Sequence, residues 1–247
     1  MDILSKKNNR LVGRAMHDYR MLADGDRVLV AVSGGVDSLF LVRLLDQWRH
    51  KAPIRYDLLA VHLDMGFDET SASRVAEQLN RFPVPFLIDH WPLTIPAEDL
   101  DSCFHCARQR RNRLFDLAAT HGCNKIAFGH HKEDLLETLF LNLCYAGNIS
   151  TMVPRQELFA GRLALIRPMA YLEKRTIVEA AARLGIEPVA NPCPISADNH
   201  RQKLRDWLTT LYQLDPVIKG NMFAALANVR HDYLLTPAGK DHGADHP

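Results

Sequence analysis

The sequence has no long apolar run. Its hydrophobic stretches are short and interrupted by charge, so none reads as a membrane span. The opening stretch, residues 1–20, is charged and helix-like and lacks the apolar core of a signal peptide. A cytoplasmic protein with no membrane partner is the expectation. Charge of one sign is also missing: 30 basic residues face 29 acidic ones, a formal +1. Overall charge therefore predicts no polyanionic partner, and only local clustering can. Cysteine is sparse, with five residues (Cys103, Cys106, Cys123, Cys144, Cys193). In a reducing compartment these form no disulfide framework, and a close pair points to metal or redox chemistry. There is no internal repeat, no low-complexity block, no ordered aromatic platform and no RRM- or KH-type pattern.

What is present is ordinary globular composition, 47% hydrophobic and 24% charged over 247 residues, enough to bury one sizeable core. Strand and helix signals alternate from Arg27 onward. Val28–Val32, Leu58–Leu63, Pro85–Ile88 and Lys125–Phe128 read as strands. Ser38–Trp48, Ser71–Arg81, Cys106–His121 and Lys132–Tyr145 read as helices, the last stopped by Gly147. Such alternation predicts an α/β fold, a doubly wound and mostly parallel sheet covered on both faces. After Arg167-Pro168 a helix over Glu173–Leu184, a Pro-rich loop over Pro188–Pro194 and two further helices to about Leu234 are expected. The divisions predicted are an N-terminal helical segment (1–24), a nucleotide domain (25–190), a cysteine loop with helices (191–235) and a disordered tail (236–247).

The sharpest signal is Ser33-Gly34-Gly35-Val36-Asp37-Ser38, between a strand and a helix. Two glycines let backbone N–H groups close on an oxyanion, and the following helix adds the positive end of its dipole. The serine hydroxyls add donors, and Asp37 can cap the helix or help hold magnesium. A Walker loop would need a Gly-Lys-Ser/Thr ending, which is absent. The six residues resemble the PP-loop signature SGGxDS, which implies ATP cut between its α and β phosphates, with the loop holding pyrophosphate. Asp64 ends the second strand, where ligands gather in doubly wound folds, and its plainer reading is a turn cap. Gly129-His130-His131-Lys132-Glu133-Asp134 opens the long helix as a second anion-friendly start. Glu133 and Asp134 are also what any helix N-terminus favours.

Cys103-Phe104-His105-Cys106 is a CxxC pair at a helix start, and Cys193 lies far downstream between Pro192 and Pro194. Three thiolates suit a 4Fe-4S cluster with one iron open. The spacing alone equally suits a structural zinc completed by a histidine, or a redox dithiol. Cys123 and Cys144 read as core filler. Arg108, Arg110, Arg111 and Arg113 crowd the helix after the pair, and Arg201, Lys203 and Arg205 follow the Cys193 loop. Such runs are usually solvated faces, but beside the cysteines they suit an RNA backbone.

The order SGGVDS, CFHC, GHHKEDLLETLFLNLCYAG, IRPMAY and NPC, over roughly Arg10 to Leu208, resembles the tRNA 2-thiocytidine synthetase family of PP-loop thiolases. It lacks the paired CxxC fingers of the zinc-bearing thiouridine synthetases. The resemblance implies ATP, Mg2+ and a 4Fe-4S cluster as cofactors, with Cys103, Cys106 and Cys193 as cluster ligands. It implies Ser33, Gly34, Gly35, Asp37, Ser38, Asp64, Gly129, His130 and Arg167 at the nucleotide. Asp37 and Asp134 are the implied catalytic residues, positioning magnesium or moving a proton. The implied partners are tRNA and a sulfur donor, either a cysteine desulfurase or free sulfide, with a homodimer among the assemblies allowed. The family's Cys-Gly at the third ligand is Cys193-Pro194 here, and both chain ends read as truncated. Two alternatives keep the ATP loop: an amidating ligase with structural zinc, and a non-catalytic ATP-binding module.

Overall fold

The computed structural model describes residues 2–92, 103–189 and 200–235. It divides into two compact units, Met1–Arg205 and Asp206–Pro247, with the boundary inside one helix. The first unit begins with α1 (Lys6–Asp18), β1 (Asp26–Val32), α2 (Val36–Arg49), β2 (Tyr56–Asp64), α3 (Ser71–Leu79) and β3 (Phe86–His90). It continues through α4 (Cys103–Thr120), β4 (Lys125–Ala127), α5 (Lys132–Leu141), β5 (Arg155–Leu158), β6 (Leu163–Ile166) and α6 (Lys174–Arg183). α7 (His200–Leu214) crosses the boundary, and the second unit adds α8 (Val217–Ala225) and a 3-10 turn at His231–Tyr233.

The six strands run in the order β3-β2-β1-β4-β6-β5. All neighbours pair in parallel except β5 with β6. The order in which strands are added reverses between β1 and β4, so the crevice at their carboxyl ends is where a ligand is expected. The sheet is apolar on both faces because alternate residues serve different cores. On β1, Val28, Val30 and Val32 join one core with α1, α2 and α6, while Leu29 joins the other with Leu114, Leu117 and Ala118 of α4. α2 lies under that first core, with Leu39 through Val42 and Leu44 and Leu45 all buried.

Three expectations change. The Lys132–Tyr145 helix is α-helical only to Leu141 and widens into a π-turn over Asn142–Ala146 before Gly147 ends it in the left-handed region. None of those five π-turn residues is buried, so Cys144 is exposed and is not core filler, whereas Cys123 is buried as expected. The β5–β6 hairpin was not expected. Each strand has only four residues, and its turn runs through Phe159, Ala160 and Gly161, all at positive φ. Phe159 and Ala160 are not residues that announce such a turn. Among the described residues no helix is long and apolar enough to cross a membrane. The predicted tail over 236–247 lies outside the described residues.

Candidate nucleotide and sulfur-transfer site

The loop after β1 is shaped by its own hydroxyls. Gly34 takes φ +87°, and a Cβ there would meet Val75 of α3 at 3.0 Å. Only glycine fits both the backbone angle and the space. The Ser38 hydroxyl donates to the Gly35 carbonyl at 2.9 Å and accepts from the Ser33 N–H at 3.1 Å. Ser38 is buried, and these bonds make its side chain a brace of the loop. Val189, beyond α6, donates its N–H to the Gly34 carbonyl at 3.0 Å. The loop is therefore braced from two sides before any ligand arrives.

The turn between β4 and α5 packs directly against that loop. A Cβ on Gly129 would lie 3.0 Å from the Asp37 carbonyl carbon and the Ser38 nitrogen. A larger residue would push the two helix starts apart. Asp134 accepts from the His131 N–H at 2.9 Å and so caps α5. The buried His131 ring lies among three carboxylates: Glu133 at 3.1 Å, Asp134 at 3.4 Å and Asp37 at 4.0 Å. Burial works to lower its pKa, but the Glu133 hydrogen bond and the neighbouring carboxylate charges outweigh it and raise it. Burial in turn pushes the Asp134 carboxyl up, against the pull of His131.

His130 behaves in the opposite way. Its Nδ1 accepts from Arg167 Nε at 3.2 Å, and burial with the adjacent Arg167 charge drives its pKa down to about 3. Arg167, just after β6, is buried too, and desolvation lowers it to about 10. Its Nη1 donates to the Val153 carbonyl, and its Nε bond to His130 fixes the β6 end to the α5 start.

At the carboxyl ends of β1 and β2 opens a small cleft. Leu63, Met65, Phe67, Val75 and Val189 supply apolar walls, and Ser33, His62, Asp64 and Arg110 supply polar groups. His62 Nδ1 donates to the Val32 carbonyl at 2.8 Å, and burial lowers the ring's pKa. Asp64 accepts from the Gly66 N–H at 3.0 Å and faces His90 at 2.8 Å. An apolar slot with a few oriented polar groups next to an anion loop suits a nucleotide.

The PP-loop domain family matches residues 4–211 of this chain. A tRNA-cytidine(32) 2-sulfurtransferase of Geotalea daltonii is 38% identical over 241 residues, covering 95% of this chain and 96% of that protein. Its counterpart from Geobacter sulfurreducens is 37% identical, covering 95% and 94%. The chain belongs to the tRNA-cytidine(32) 2-sulfurtransferase family of PP-loop proteins. Among solved structures, a U34-tRNA thiolase from Methanococcus maripaludis, determined with its 4Fe-4S cluster, is similar at TM-score 0.70 and 18% identity. That match covers 89% of this chain and 77% of the thiolase, and it shows a shared fold.

Within this family member, the ATP-binding loop and the Gly129–Asp134 turn meet at the β1–β4 crevice, as do Asp37, His130, Asp134 and Arg167. Cys106 is a half-buried thiol in α4, packed against the second core, and one turn later on the same helix face Arg110 lines the cleft. Cys103 opens α4, and Cys193 with the rest of its loop from residue 190 lies outside the described residues. The arginine run divides by role. Arg113 forms a two-pronged pair with Asp89, 2.7 Å on each arm. Arg108 and Arg111 are exposed. Arg205 makes a similar fork onto buried Glu137 at 2.8 and 2.9 Å, which ties α7 to α5. Sequence reasoning missed His62, His131 and Lys174. The last projects from α6 onto Asp37, and a charged residue opening a helix carries no signal for a contact 137 residues away.

Proposed function

We propose that this protein is an ATP-dependent tRNA sulfurtransferase that replaces the O2 of a cytidine by sulfur. The observation that carries the reading is the braced Gly34 loop with Asp37 at its end, in a chain of this family. One Asp37 oxygen, Oδ1, is buried without a hydrogen-bond partner. The cytosine O2 attacks the α-phosphorus of ATP, the bond to the β-phosphate oxygen breaks, and pyrophosphate leaves into the loop. A sulfur nucleophile then attacks C2, the C–O bond breaks, and AMP departs carrying the former O2. Adenylation thus converts a poor leaving group into a good one.

Ser33, Gly34 and Gly35 line the pyrophosphate position with backbone and hydroxyl donors, while Ser38 keeps the loop in form. Asp64 and the apolar walls orient the nucleoside, and Arg110 offers positive charge to the phosphate that becomes AMP. Among the described residues no three His, Cys, Asp or Glu are grouped to hold a metal. Magnesium takes one or two carboxylates and otherwise the substrate's phosphates. Asp37 Oδ1 would be the protein ligand, with Asp134 moving a proton or adding a second. The half-buried Cys106 thiol, beside the cleft, fits a soft metal centre shared with Cys103 and Cys193. A bound 4Fe-4S cluster would supply an open iron that holds and activates sulfur as a Lewis acid. Cysteine desulfurase or free sulfide would be its source. The tRNA backbone would run along Arg108 and Arg111, with the target base unpaired or flipped.

Anaerobically purified protein given tRNA, ATP and sulfide should form AMP in step with thiolated nucleoside. Asp37→Ala should lower AMP formation on the order of 100-fold, the scale of losing a group that stabilises transition-state charge. Cys106→Ser should lose the visible cluster absorption and thiolation while still binding ATP. Full AMP production by Asp37→Ala would remove the PP-loop assignment, and a colourless, zinc-loaded wild type would return the ligase alternative.

A further inference from the structure

We infer that Lys174 is a positioning residue of the nucleotide site, holding Asp37 at the phosphate loop and supplying positive charge where pyrophosphate sits. This rests on the adenylating function proposed above. Lys174 Nζ donates to Asp37 Oδ2 at 2.5 Å. With Oδ2 so engaged, the carboxylate's other oxygen, Oδ1, remains buried without a hydrogen-bond partner, 4.0 Å from His131 Nε2 at the α5 start.

The position from which Lys174 reaches is fixed by a reciprocal lock between two helix starts. The Lys174 N–H donates to Glu133 Oε2 at 3.0 Å. The Lys132 N–H donates to the Leu172 carbonyl at 2.9 Å. The Lys132 ammonium lies 3.5 Å from Glu173 Oε1. Two Lys/Glu neighbours, 132–133 and 173–174, thus grip each other across the site. The backbone of Lys174 is held, and only its flexible stem remains to move.

A structural ion pair would not need this arrangement. The Lys174 side chain is 41% exposed and that of Asp37 25%, so as a surface pair it adds little to folding. Its effect is local. Asp37 sits at the N-terminus of α2, where an incoming triphosphate brings several negative charges. An uncompensated carboxylate there would repel the substrate. The Lys174 ammonium cancels that repulsion, and its four-carbon stem lets it follow the departing pyrophosphate.

The test compares wild type, Lys174→Met and Lys174→Arg by calorimetric binding of pyrophosphate without magnesium, and by ATP kinetics with tRNA and sulfide. Lys174→Met should weaken pyrophosphate binding and raise KM for ATP, each about tenfold, the scale of one lost charge-assisted hydrogen bond. Its melting temperature should match wild type. Lys174→Arg should recover most of the pyrophosphate affinity, which a merely structural contact would not predict. Equal pyrophosphate affinity and KM in Lys174→Met and wild type would overturn the role of Lys174. A wild type that binds pyrophosphate but forms no AMP would instead overturn the adenylating function and leave the binding comparison to decide Lys174.

Discussion

At the scale of single residues, two adjacent histidines have their pKa values pushed in opposite directions. His130 is neutral because burial and Arg167 hold its pKa down to about 3. His131 is drawn the other way by Glu133, Asp134 and Asp37. The signs follow from proton linkage. Below about pH 6.5 the unfolded chain protonates a histidine that folded His130 leaves neutral. That contribution to stability is present above pH 6.5 and is lost as pH falls toward 3. For His131 the contribution is present below pH 6.5 and is lost as pH rises through its raised value. NMR titration of the two rings should show His130 unprotonated down to about pH 4 and His131 titrating above 6.5. Two ordinary titrations near 6.5 would contradict the burial assigned to them. The sequence revealed a histidine at a helix start, but not which neighbour charges it. That depends on Asp37 and Arg167, which arrive from other strands.

At the scale of elements, the helix after the CxxC pair carries the clearest division of labour. Its arginines read alike in sequence, yet Arg113 is committed to Asp89, Arg110 to the cleft, and Arg108 and Arg111 to solvent. Only helix phase and the neighbouring β3 decide this, and β3 was legible as a strand without its aspartate being legible as a partner. Changing Arg108 and Arg111 together to Ala should flatten the dependence of log affinity for tRNA on log salt by roughly 1.5, since two phosphate contacts would be lost. Arg113→Ala should instead lower the melting temperature and leave that slope unchanged. An unaltered slope in the double variant would return Arg108 and Arg111 to a solvated face. The β-strands and helices around the ATP loop were legible because each is long or flanked by glycine. The β5–β6 hairpin was not, because four-residue strands show too little periodicity to separate from loop.

At the scale of the whole molecule, the doubly wound sheet follows from alternation that the sequence displays openly. From Val28 to Val32, each β1 residue belongs to the core its parity predicts. The candidate site follows from that sheet, since the loops after β1, β2, β4 and β6 must all open at one edge. What parity and motif leave unstated is the cross-bracing, such as Val189 on Gly34, Gly129 on Asp37 and Lys174 on Asp37. These contacts join segments separated by loops whose paths no local pattern encodes. The most direct measurement of the central claim is nucleoside mass spectrometry of tRNA incubated with the anaerobic holoprotein and sulfide. ATP is compared with an analogue whose bond between the α and β phosphates resists cleavage. Sulfur should replace oxygen on a cytidine with ATP alone, with one AMP formed per base changed. Equal thiolation with the analogue, or sulfur on uridine with cytidine untouched, would contradict it.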